Sequence, residues 1–141
     1  MKSSEIWKIL KDFIESNISD PKNRHQVSLV HSGELKPAAT NFIGYPYIRL
    51  TPVVFGEETK TNSGVLWKEF TTTIMVYGTD YPTVDRLFDD LINLFTSTES
   101  QYNLSKQGIS HYIITNYDLD ERTIDGKDVI IKQFNLKGWI I

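Results

Sequence analysis

Residues 75–95 read MVYGTDYPTVDRLFDDLINLF: an apolar run ends at Gly78 and an amphipathic helical pattern follows within a few positions. Strand, glycine and helix is the arrangement in which many α/β enzymes hold phosphate. Such sites need several glycines, so that consecutive backbone N–H groups can approach the anion. Here one glycine precedes Thr79, Asp80, Tyr81 and Pro82. Proline removes a donor, the tyrosine obstructs close approach, and Asp80 and Asp85 repel phosphate. The same residues suit a change of direction. Gly78 lets the strand turn, Asp80 or Thr83 caps the helix, and Pro82 fits its first turn. The reading is a turn, without a nucleotide.

Both sides of that turn can be extended. Upstream, VLWKEFTTTIMVYG (65–78) is rich in β-branched and aromatic residues, with Phe70, Ile74 and Val76 on one face and Trp67, Met75 and Tyr77 on the other. A strand apolar on both faces is central or covered twice. Downstream, Val84, Leu87, Phe88, Leu91, Ile92 and Phe95 point inward, and Asp85, Arg86, Asp89, Asp90 and Asn93 form the wet face. Near the start, Ile6, Ile9, Leu10, Phe13 and Ile14 make a second helical stripe, capped by Ser3 or Ser4 and ending near Asn17. Residues 17–46 read as an irregular connection in which QVSLVHSG can hold a short strand. YPYIRLTPVV then alternates, with Ile48 and Leu50 on one face. GEETKTNSG (56–64) has no apolar residue and reads as a mobile hairpin loop. HYIITNYDL and DVIIKQFNLKGWII form a closing strand pair, turned at Asp125 and Gly126. The expectation is one α+β domain over 1–141, in the order α–β–β–α–β–β, with two helices on an antiparallel-rich mixed sheet.

The chain of 141 residues has a net charge of −3 and no cysteine. Disulfides and thiolate zinc sites are excluded, and nothing electrostatic favours adhesion to DNA or anionic membrane. No run approaches the ~20 apolar residues of a membrane span, and MKSSEIWKILKDF carries charges too often for a secretory signal; a cytosolic chain is expected. His25, His31 and His111 form no metal-ligand spacing, and no serine lies in a nucleophile-elbow context. No catalytic set, metal site or cofactor is assigned. DLDERTIDGKD (118–128) is dense in acids, but Gly126 comes too late for a calcium loop, so a solvated hairpin end is expected.

The phrases IWKILKDFI, YPYIRLTPVVFGEE, EFTTTIMVYGTDYPTVDRLFDDLINLF and DVIIKQFNLKGWII, in this order over residues 5–141, resemble the tail terminator and tail-completion proteins of long-tailed bacteriophages. The resemblance implies a ring of identical subunits, a homo-hexamer, that caps the tail tube and joins it to the head. It implies contacts with the major tail tube protein and the head–tail connector, passage of DNA without specific binding, and a place in the virion neck after assembly in host cytoplasm. On that basis Glu57, Glu58, Thr59, Lys60, Thr61, Asn62 and Ser63 are expected to reach a neighbour. Asp118, Asp120, Glu121, Asp125 and Asp128 are expected to face a lumen, where acids repel DNA and let it slide. Another neck or baseplate component, or a small-ligand-binding α+β domain, is the alternative.

Overall fold

The computed structural model describes residues 1–60, 64 and 66–140. Among them are three helices and six strands: α1 (Ser3–Asn17), β1 (Val30–His31), β2 (Tyr47–Leu50), β3 (Val54–Lys60), β4 (Leu66–Gly78), α2 (Tyr81–Thr96), α3 (Thr98–Lys106), β5 (Ile109–Ile124) and β6 (Lys127–Ile140). All six strands join one sheet in the order β1-β2-β4-β6-β5, with β3 also paired to β4. Only β1 and β2 run parallel. This is the α+β, antiparallel-rich mixed sheet expected from sequence, with β4 in its centre.

β4 and β6 pair without a shift from Lys68↔Ile140 to Gly78↔Ile130, so side chains sort by parity. Phe70, Ile74 and Val76 of β4 and Ile130, Phe134, Leu136 and Ile140 of β6 face the helices, joined by Ile48 and Leu50 of β2. From α1 this core takes Ile6, Leu10, Phe13 and Ile14, and from α2 it takes Val84, Leu87, Phe88, Leu91 and Phe95. Ile92, expected inward, is only half-buried against it. The α2 start is as read: Asp80 accepts from the Thr83 N–H at 2.9 Å, and proline sits in the first turn.

Gly78 has a different purpose from the expected turn. It stays in β4, paired with Ile130, and an added Cβ would lie 2.4 Å from Val84 Cγ2. The requirement is room for α2. Gly138 is more constrained, because a Cβ there would come within 2.4 Å of Phe70 Cζ and 3.2 Å of the His111 carbonyl oxygen. The Phe70 ring is fully buried and has nowhere to retreat. Gly138→Ala is therefore expected to cost about 1–3 kcal/mol, read as a lower urea midpoint with an unchanged slope.

Three elements differ from the sequence expectation. α3 occupies a stretch where no helix was expected from sequence. It buries only Ser100 and Leu104, too few for an apolar stripe, and it is started by the Ser97 hydroxyl accepting from the Ser100 N–H at 3.1 Å. β3 takes residues 54–60, so residues 56–60 of the expected mobile loop over 56–64 are strand, and residues 61–63 lie outside the described residues. Glu58, Thr59 and Lys60 pair with Lys68, Trp67 and Leu66 after a register shift, and that shift on an exposed edge erases the alternation. α1 has Lys2, not a serine, at its N-cap position.

The irregular connection is also accounted for. Opposite the helices, Tyr47, Tyr77, Ile124, Val129 and Ile131 form a second buried cluster, covered by Leu35, Phe42, Ile43 and Tyr45. Residues 33–46 thus cross the other face of the sheet as a strap. Its rings continue those of the strands: Tyr45, Tyr47 and Tyr77 stack in series at 5.8 and 4.7 Å.

Candidate functional site

β5 and β6 run on past the end of β4, because the last β4–β6 pair is Gly78↔Ile130 while β5 still pairs Arg122 with Val129 and Ile124 with Lys127. The β5–β6 pair from residue 116 to residue 133 forms an arm along the sheet margin, and its last part, 122–129, projects beyond β4 as two strands. Asp125 and Gly126 both take positive φ, 49° and 79°, as a two-residue primed turn requires. A one-residue bulge between Thr115 and Asp118, with Asn116 at φ 56°, re-aims the side chains of the arm. Every residue from 116 to 123 is exposed, and β5 is the outermost strand on its side of the sheet.

The arm carries all five acids singled out from sequence, but it divides them between its faces. Asp118 and Asp120 pair with Gln133 and Ile131, on the strap side; Glu121 pairs with Ile130 and Asp128 with Thr123, on the helix side. Asp125 lies in the turn and accepts from the Ala38 N–H at 3.2 Å. Asp120 is 3.5 Å from Arg122, and Asp128 accepts from the Thr123 hydroxyl at 3.1 Å. The acids share one arm, not one surface. Glu57 and Glu58 lie elsewhere, on β3, with Glu58 3.8 Å from Lys68. Thr61, Asn62 and Ser63 are outside the described residues, as are the side chains of Thr59 and Lys60.

The strap is tied to the arm and to α1 by carboxylates. Glu34 accepts from Arg122 at 2.8 Å and from the Tyr77 hydroxyl at 3.3 Å, and Arg49 donates to that hydroxyl at 3.1 Å. Asp20 receives Arg24 in a two-point contact at 2.8 and 3.1 Å. Glu15 accepts from the Ser28 hydroxyl and the Leu29 N–H. For each of the three, burial acts to raise the carboxyl pKa. It is outweighed by Lys36, Arg122 and Tyr77 at Glu34, by Arg24 and backbone N–H groups at Asp20, and by Lys11 and Ser28 at Glu15, so all three titrate below the usual range. The Tyr47 hydroxyl, which accepts from the Leu35 N–H at 2.9 Å, is pushed upward by burial and stays protonated.

A depressed folded pKa gives stability that is present above the unfolded value near pH ~4 and lost as pH falls through the folded value. All three carboxylates anchor residues 15–46, so acid should release that segment first. Between about pH 4 and pH 2, the amide NMR signals of Leu35, Ala38 and Phe42 are expected to move to random-coil positions before those of Ile74 and Phe134. Simultaneous loss of both sets would contradict the assignment.

The three histidines are dispersed. His25 is exposed, His31 Nε2 lies 2.7 Å from the Ser28 carbonyl oxygen, and His111 stacks on Trp139 at 5.6 Å. No group of three or more potential metal ligands occurs among the described residues, and no described helix is long and apolar enough to cross a membrane.

Two surface residues were not singled out in the sequence: Tyr117 and Leu119, 60% and 47% exposed on the arm. Asn116 was their available signal, since asparagine tolerates the left-handed conformation that makes the bulge. No protein-family model matches the chain, and no curated protein matches it.

Proposed function

We propose that the chain is a virion assembly protein that closes a phage tail tube as a ring of its own copies and joins the tube to the head. The reading rests on the sequence resemblance over residues 5–141. The structural observation that supports it is the arm, a long outer strand with eight consecutive exposed residues, 116–123. Edge strands present unpaired N–H and C=O groups and are natural places for a neighbour to attach. Repetition of a heterologous contact closes into a ring when the rotation fits. The work is contact and closure, with no catalytic step, cofactor or metal. The tail tube protein and the head connector are the partners.

In this reading Asp118 and Asp120, on one face of the arm, line the passage with Asp125 at its tip. Their charge keeps DNA from adhering. Replacing Asp118 and Asp120 with lysine, and leaving Asp125 in its turn, should keep the fold intact and raise DNA retention by the ring, with an affinity that falls steeply as salt rises. DNA retention unchanged at low salt would remove these acids from the lumen. The function itself is tested by tail length. Tails assembled without the chain are expected to run to irregular lengths and fail to join heads, and adding the protein back should restore uniform, joined tails. Normal tails in its absence would refute the proposal.

A further inference from the structure

The molecule carries an apolar projection at one margin of its sheet and an apolar groove at the other. The projection is Tyr117 and Leu119. Leu119 pairs with Lys132 on the helix side, and the Tyr117 ring meets the edge of Phe88 at 6.3 Å, so both point the same way from the outermost strand β5. Glu121 shares their face, where Lys132 is already paired with Asp85 at 2.8 Å, and Asp118 and Asp120 lie on the opposite face of the same strand. The groove lies at the β1–β2 margin, between the first turns of α1 and the segments that follow β1 and β2. It is lined by Ser3, Ser4, Trp7, Ser32, Pro52 and Val53 and holds about 290 Å³, roughly twice the ~150 Å³ that accepts a benzene ring. Trp7 is fixed as its wall by donating its indole N–H to the Leu50 carbonyl at 2.7 Å.

The charges of the two features complement each other. The groove sits at the N-terminal end of α1, where the peptide dipoles leave a positive end. Lys2, at the N-cap position, offers a cation and no acceptor for the first N–H groups. Glu5 is the acid of that turn, and it is engaged by the Lys2 N–H at 3.1 Å. An apolar knob with Glu121 beside it, on a strand rich in acids, matches an apolar groove at a positive helix end. The two cannot meet within one molecule, because β1 and β5 are the opposite margins of the sheet.

We infer that the occupant of the groove is a second copy of this chain, contributing Tyr117 and Leu119 in a head-to-tail contact. A knob and a groove on opposite margins repeat from copy to copy and close as a ring or run on as a filament. The inference rests on the ring reading above for the expectation that copies associate, and it names the surfaces through which they do so.

The test uses two variants, each altered only at exposed residues. Tyr117→Ser with Leu119→Ser removes the knob, and Ser4→Trp with Ser32→Arg fills the groove. Circular dichroism checks that both fold, and mass is measured by sedimentation at high protein concentration. The wild type should sediment as a closed oligomer and each variant alone as a monomer. An equimolar mixture of the two retains one intact knob and one intact groove, and should stop at a one-to-one dimer. Oligomers of wild-type mass from either variant would overturn the assigned surfaces while leaving the ring reading standing. A mixture that stays monomeric would overturn the head-to-tail pairing. A wild type that is monomeric throughout would overturn the inference and the ring reading together.

Discussion

Leu91→Asp is expected to leave no cooperative unfolding transition at room temperature. Leu91 is fully buried in α2, in the row that also presents Leu87, Phe88 and Phe95 to the sheet. Those rings are already engaged: Phe88 meets Phe134 at 5.7 Å, and Phe95 meets Phe134 at 6.2 Å and Phe13 at 5.8 Å. An aspartate there loses the apolar contacts of leucine, roughly 2–5 kcal/mol for truncation alone. It must also either bury a charge without a partner or take up a proton at a further cost. The sum matches the whole ~5–15 kcal/mol stability of a domain. The exposed neighbour Asp90 is the control, and Asp90→Ala should stay within about 0.5 kcal/mol of wild type. Thermal melting checks both. A Leu91→Asp transition within a few degrees of wild type would mean that α2 presents a different face.

Arg24→Leu should have the next largest effect. The guanidinium joins three parts of the irregular connection: it holds the Asp20 carboxylate, donates to the carbonyls of Ile43 and Gly44 at 3.1 and 2.9 Å, and reaches the Pro46 carbonyl. Both members of the Arg24–Asp20 pair are mostly buried. Leucine preserves some of the packing but leaves three carbonyls without their donor and the Asp20 carboxylate with backbone N–H partners and no counter-charge. Removing one partner of a buried pair costs about 3–5 kcal/mol. Residual solvent contact places this case near the lower end, at about 3 kcal/mol. Denaturant unfolding at neutral pH gives the loss. Adding Asp20→Asn should recover part of it, because the orphaned charge is then gone; no recovery would mean that the carbonyl contacts carry the effect.

What the sequence discloses depends on how far apart the partners lie along the chain. α2 was legible except at Ile92, which is only half-buried, since its stripe repeats at helical spacing and Asp80 and Pro82 mark its start within four positions. The turn at Asp125 and Gly126 was equally local. The strap was not legible, because its ties run from Glu34 to Arg122 and from Ala38 to Asp125, 88 and 87 residues apart, and its own sequence has no period. α3 escaped for want of apolar residues, and β3 because its register shift breaks the alternation by which an edge strand is recognised. The purpose of Gly78 is likewise tertiary: only the approach of Val84 shows that space is what the position needs. At the candidate site, composition alone identified the acids. Parity placed them on two faces of one arm, and the bulge that exposes Tyr117 and Leu119 shows in sequence only as Asn116 between β-forming residues.

The central claim is that copies of this chain close over the end of a tail tube. Electron cryomicroscopy of isolated tails, with the chain marked by a small tag fused at its C-terminus so that nothing is added before the groove residues Ser3 and Ser4, tests it most directly. The account predicts a single closed ring of tagged density, sixfold as the family resemblance implies, at the head-proximal end of every full-length tube and nowhere along its wall. Tags spread along the tube, at the distal tip, or absent from finished tails would contradict it.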